Sequence, residues 1–348
     1  MNLGELWRDC SYLKDLLDQP DAVARTMAGL AEQDSLSPFA HGLRSGRWRR
    51  IVLTGMGSSY WACHPLYLRL LAAGQTPVLV ETSELIHFEG DWLRPDTLVV
   101  TVSQSGHSVE TVRLLEMAQG RSEVIGITNT ADSPVARQSA AALVTRAGPE
   151  TTVACKTYAA SLTGLEWLGD LLCGASTSEL QTQAAAAVEA MRSYLAQWPA
   201  HVEELMRAFE GVQDIFVVGR GPSLAAAGTG GLILKESTHY HAEGMSAAAF
   251  RHGPFEMLSD SVFVAILEGD ERSAPLGRKL AGDVQEAGGR AGVISTTAQG
   301  AFRIPPGGAR VHPLIEILPI EMMTLALAAL KGREPGRFER MTKVTVEE

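Results

Sequence analysis

One pattern occurs twice in this chain. Ile51-Val52-Leu53-Thr54 runs into Gly55-Met56-Gly57-Ser58-Ser59, and Ile215-Phe216-Val217-Val218 runs into Gly219-Arg220-Gly221-Pro222-Ser223. The two begin 164 residues apart, and at that spacing Ser261–Ile266 falls on Thr97–Val102. Ala291–Ser295 resembles Val124–Thr128 at nearly the same spacing. Short apolar, β-branched runs closed by glycine turns predict buried strands. Two of them aligned at one offset predict an internal duplication of one α/β domain.

Further strands are expected at Val78–Val80 and Leu143–Val144, with helices between, including one over 158–172. Such alternation predicts parallel sheets covered on both faces, with ligands beyond the carboxyl ends of the strands. The chain divides into an N-terminal helical segment (1–45), a first α/β domain (46–175), an Ala-rich helical connector (176–210), a second domain (211–325) and a tail (326–348). Within the first segment Gln19-Pro20-Asp21 is expected to separate two helices, the second running to Gln33. At 348 residues, 45% hydrophobic and 20% charged, both domains can bury a core.

The stretch Thr97–Thr111 carries the strongest functional signal. Leu98–Val102 reads as a strand, Ser103-Gln104-Ser105-Gly106-His107-Ser108 as a turn, and the residues from Val109 as a helix. Free N–H groups and the helix dipole at such a turn suit an anion, and the hydroxyls add donors without bulk. With no Lys or Arg in the turn, a phosphate there would be held by dipoles and hydroxyls. In the second copy Leu267-Glu268-Gly269 replaces Ser103-Gln104-Ser105 at the common offset, so Glu268 stands for Gln104 and repels an anion.

The Gly-x-Gly turns raise a dinucleotide reading, but Tyr60 and Leu224 stand where a third glycine belongs. Glu81, after Val78–Val80, keeps that reading open for the first copy. The net charge is −10 and the densest basic run, Arg47-Trp48-Arg49-Arg50, precedes a strand, so no nucleic-acid surface is expected. The N-terminus does not read as a signal peptide and no uninterrupted run of 18 apolar residues occurs, so no membrane span is expected. Four scattered cysteines, 10, 63, 155 and 173, fit a reduced, cytoplasmic protein.

In the second half, His239-Tyr240-His241-Ala242-Glu243 and Arg251-His252-Gly253-Pro254 place acid–base groups in a small-residue background. His239, His241 and Glu243 could ligate a metal, but no third His or Cys follows at typical spacing, and a structural role for both histidines is the preferred reading.

Ordered motifs from about residue 45 onward resemble the SIS (sugar isomerase) family, above all the isomerase half of glucosamine-6-phosphate synthase and its stand-alone relatives. They are GMGSSY, TVSQSGHSVET, AGPETTVACKTYAASL, LKESTHYHAEG, FRHGPFE and MTKVTVEE. The resemblance implies two tandem flavodoxin-like domains and a homodimer with sites shared between subunits. It implies a phosphate loop at Ser59, Ser103, Gln104, Ser105 and Ser108, and a proton-abstracting carboxylate at Glu236. It also implies a ring-opening histidine at His252, given by the neighbouring subunit, and a carbonyl-reactive lysine at Lys343. No metal or nicotinamide is implied.

This chain departs from the synthase in four places. His107-Ser108 replaces Glu-Thr in the phosphate loop, and Ile233 stands where the synthase has a second lysine. Lys343 is one residue nearer the terminal VTVE, and the segment around Cys155 is one residue shorter. The chain begins Met1-Asn2, without the synthase's glutaminase cysteine, so glutamine-dependent synthesis is not expected unless a partner supplies ammonia. The expected activity is isomerisation or deamination of a hexose or amino-hexose 6-phosphate. The alternatives are a deglycase, or a non-catalytic sugar-phosphate sensor, although residues 1–45 are short for a DNA-binding domain.

Overall fold

A computed structural model describes residues 7, 9–30 and 35–345. The buried apolar runs become two parallel sheets flanked by helices. The first contains β1 (Arg50–Gly55), β2 (Pro77–Glu81), β3 (Thr97–Val102), β4 (Glu123–Thr128) and β5 (Ala141–Val144), in the order β2-β1-β3-β4-β5. The second contains β6 (Asp214–Gly219), β7 (His241–Ser246), β8 (Val262–Leu267) and β9 (Arg290–Ile294), in the order β7-β6-β8-β9. β3 and β8 are buried along their whole length, as the centre of a doubly covered sheet requires.

The chain forms two compact units. One holds the first sheet and comprises Asp21–Pro149, Lys156–Ala185 and the described tail from Met341. Its core joins Val52, Val99 and Val124 of the sheet to Leu85, Leu114 and Leu115 of the covering helices. On the other face lies the helix Lys156–Cys173, where the half-buried Arg69 pairs with the carboxylates of Asp170, which is fully buried, and Glu166. The second unit holds the second sheet and comprises the described residues up to Pro20, Glu150–Cys155 and Ala186–Arg340. Phe216, Val264, Phe250 and Leu280 lie in its core.

Several expectations need correction. Pro20 does not end a helix: Ser11–Leu30 is one continuous helix. Proline removes the N–H that would bond the Leu16 carbonyl, and the Gln19 side-chain amide donates to that carbonyl instead, at 3.4 Å. The expected end of the second helix, 31–33, lies outside the described residues. The connector is two helices, Thr177–Leu195 and Trp198–Ala208, the second opened by Pro199. The Gly55–Ser59 turn is expected to lead into one helix through Leu71, but the structure has two, Ser58–Ala62 and His64–Ala72, with Pro65 in the first turn of the second. β7 has no counterpart among the expected strands, because its pattern, HAEGMS, has too few apolar residues to announce an edge strand.

The helix His312–Leu330 has the length and mean hydropathy (1.7) of a membrane span, but 94% of that window is buried within the protein. Glu316 and Glu321 interrupt its apolar run, and both are fully buried. Two arginines of the basic run are ion-paired locally: Arg47 with Glu123 at 2.7 Å and Arg50, the first residue of β1, with Asp96 at 3.2 Å.

Candidate active site

The strand order of the first sheet reverses between β1 and β3, where Gly55 sits beside Val102. Chains leaving two adjacent parallel strands in opposite directions leave a crevice at their carboxyl ends. The turn after β1 forms one wall. A Cβ on Gly55 would lie 2.9 Å from the Ser59 carbonyl carbon, and Gly57 has φ +54, so both glycines are needed to start the helix Ser58–Ala62 so close to the strand. Ser59 is half-buried there.

Ser103–Ser108 form the other wall. The Ser103 hydroxyl, nearly buried, accepts from the Gly106 N–H at 3.2 Å and lies 3.2 Å from the Ser108 hydroxyl. Ser108 continues to the Thr111 hydroxyl at 2.7 Å, and Ser105 Oγ accepts from the His107 N–H at 3.1 Å. Gly106 has φ +66, and a Cβ there would meet Ser133 Oγ at 2.2 Å. Gln104 and Ser105 remain half-buried and His107 is exposed. Glu110 sits in the first turn of the helix Val109–Ala118, with Oε2 buried and unpaired.

The tail returns to this turn. The N–H of Val109, the first residue of that helix, donates to the Thr345 carbonyl at 3.2 Å. Lys343, two residues earlier, is half-buried in the same unit. Sequence reading assigned the lysine by resemblance and offered no signal for this contact.

Glu236 and His252 belong to the other unit. Glu236 is half-buried in the last turn of the helix Leu224–Thr238. That helix ends on His239 with φ +55, a left-handed conformation rare outside glycine. Lys331 Nζ donates to the His239 carbonyl and Arg333 Nη2 to its Nε2, both at 3.2 Å, and these bonds hold the unusual end in place. Burial, with Arg333 beside it, lowers the His239 pKa, which keeps Nε2 an acceptor. His252 is exposed at the end of the helix Ala247–Arg251, and Ile233 is buried. His239, His241 and Glu243 do not form a metal site: His241 Nδ1 bonds Asp214 at 2.8 Å, and among the described residues no group of three His, Cys, Asp or Glu could hold a metal.

After β6 the corresponding serine, Ser223, is engaged by side chains of the helix His312–Leu330. The Ser223 hydroxyl donates to Glu316 Oε1 at 3.0 Å, and His312 Nε2 lies 3.2 Å from the same oxygen. Burial pulls the His312 pKa down, but the hydrogen bond and charge of Glu316, with Asp270 and Glu268, outweigh it and raise the value. The register also corrects the alignment of the copies. β8 begins one residue later than the offset predicts, and both Ser103 and Glu268 donate their N–H to an isoleucine carbonyl of the next strand. Glu268 therefore replaces Ser103, not Gln104, and it is paired with Arg278.

Residues 46–168 match the SIS domain family. The chain therefore carries a SIS domain. It is 30% identical, over 96% of its length, to the glutamine–fructose-6-phosphate aminotransferase [isomerizing] of Pyrococcus horikoshii, and it spans 57% of that relative's length. The fold of this SIS protein is similar to the C-terminal domain of glucosamine-fructose-6-phosphate aminotransferase from Francisella tularensis. There the TM-score is 0.78 at 20% identity, over 93% of this chain and 96% of the other. It is also similar to glucosamine-6-phosphate deaminase from Thermotoga maritima, with TM-score 0.72 at 18% identity, over 96% and 99%.

Proposed function

We propose that this SIS protein isomerises or deaminates a hexose or amino-hexose 6-phosphate. The observation that carries the reading is the hydrogen bond from the Val109 N–H to the Thr345 carbonyl. It sets the segment bearing Lys343 beside a turn of serine hydroxyls, so a phosphate-binding feature and a carbonyl-reactive amine share one unit.

In this reading Ser59, Ser103, Gln104, Ser105 and Ser108 take the phosphate. Four or five charge-assisted hydrogen bonds, each worth roughly 1.5–3 kcal/mol, fix the far end of the sugar and orient its reactive end. His252 of a second subunit assists ring opening. Glu236 moves a proton between the carbonyl carbon and its neighbour through an enediol or enamine. Lys343 condenses with the open-chain carbonyl or stabilises its developing oxyanion. The two sheets are read as tandem flavodoxin-like domains of common origin, and the working form as a cytoplasmic homodimer. The recurrence of one strand order supports the common origin.

Glu236→Gln, assayed with fructose 6-phosphate and glucosamine 6-phosphate, is expected to abolish turnover while leaving binding in place. Unchanged turnover removes Glu236 from the mechanism. Tight binding by the unaltered protein, with no proton exchange into deuterated solvent, would instead favour a sensor.

A further inference from the structure

A cleft of about 470 Å³ opens in the second-sheet unit. One wall is a single helix face: Gln197, His201 and Glu204 follow one another at helical spacing. The opposite wall is the segment 296–306, and its shape is built in. Glu204 Oε2 accepts from the Ala301 N–H at 3.1 Å, and the Tyr194 hydroxyl donates to the Ala301 carbonyl. Gly300 has φ +56, and a Cβ there would lie 2.0 Å from Glu204 Oε1, so a side chain at this position would be strained and would displace the carboxylate that holds the segment.

Two polar groups in this clamped cleft have nothing to bind. His201 is 8% exposed, its ring centroid is 4.3 Å from that of Tyr194, and its Nδ1 is buried without a hydrogen-bond partner. Native structures leave few buried polar atoms unpaired. Burial lowers the pKa of this imidazole against the opposing charge of Glu204, so it is neutral at physiological pH. At the exposed rim, the Arg303 guanidinium has no ion-pair or hydrogen-bond partner among the described residues. The Glu204 charge, by contrast, is already engaged by the Ala301 N–H.

A planar cation at the rim suits a phosphate. A neutral buried imidazole behind it, with Gln197 and Thr296 alongside, suits hydroxyl groups. We propose that this cleft is a binding site for a small hydroxyl-bearing phosphate monoester, with Arg303 on the phosphate and His201 Nδ1 on a hydroxyl. The site does not depend on the serine turn.

The test follows the ring resonances of His201 in full-length protein with 15N-labelled histidine, assigned by their loss in His201→Gln. Glucose 6-phosphate is expected to shift them and to raise the His201 pKa, because a dianion favours the charged ring. In Arg303→Ala the same shift is expected only at tenfold or higher ligand concentration. Ser105→Ala should leave the His201 response intact, which separates this site from the proposed active site. Unmoved resonances in the unaltered protein, or an identical titration in Arg303→Ala, would overturn the proposal. An equal response to inorganic phosphate would overturn it as well, since the hydroxyls would then contribute nothing.

Discussion

Ser105 is the side chain on which the phosphate reading is most exposed to experiment. The residue is half-buried and its hydroxyl accepts from the His107 N–H two positions on, so removing it disturbs little else. Ser105→Ala is expected to weaken fructose 6-phosphate binding by about 1.5–3 kcal/mol, roughly ten- to a hundredfold in Kd by calorimetry. An unchanged Kd moves the phosphate elsewhere. Glu321 makes a different prediction. Burial pushes its carboxyl up to about 8, against the lowering effect of the Gln19 amide 2.7 Å away. The folded chain then holds a proton that the unfolded chain releases above the ordinary carboxylate value, so stability falls as pH rises from about 4.5 to about 8 and levels off beyond. Urea midpoints across that range should show the decline, and Glu321→Gln should flatten it. An identical slope in the variant would remove Glu321 as the cause. The serine hydroxyls were legible because strand, turn and helix each have their own sequence period. Glu321 was not, because a carboxylate in an apolar run looks the same whether it faces water or is buried as the acid.

At the level of elements, the helix Ser11–Leu30 depends on one amide. Gln19 replaces the backbone donor missing at Pro20 and also donates to Glu321, so one side chain serves two buried acceptors. Gln19→Ala is expected to cost about 1–3 kcal/mol in unfolding free energy. A cost within error of zero would mean that water or a neighbour satisfies both oxygens. Strands β1, β3, β4, β6 and β8 could be read because central parallel strands are unbroken apolar runs. The continuous helix could not, since proline's usual effect was cancelled by a side chain whose partner is 302 positions away in sequence. β7 also escaped notice, because an edge strand is set by pairing with β6 and its own residues carry little signal. The one-residue slip of β8 is a third case: register follows hydrogen bonding, and a fixed offset cannot see it.

For the molecule as a whole, the proposed shared site predicts complementation. Glu236→Gln and His252→Ala chains should each be inactive alone. Refolded together, mixed dimers hold one intact site of two, so random pairing restores about a quarter of the activity. No recovery would mean that both groups act within one chain. The course of the chain has its own consequence. Residues of the first-sheet unit come from three stretches, interrupted by Glu150–Cys155 and by Ala186–Arg340, and its last stretch is the tail that meets Val109. During translation the serine turn is made early, but its neighbouring carbonyl emerges only after more than 200 further residues, Thr345 lying 236 positions beyond Val109. Nascent chains should therefore acquire ligand affinity at the serine turn only once residues 341–345 have emerged, and a fragment stopping short of residue 341 should fold without that affinity.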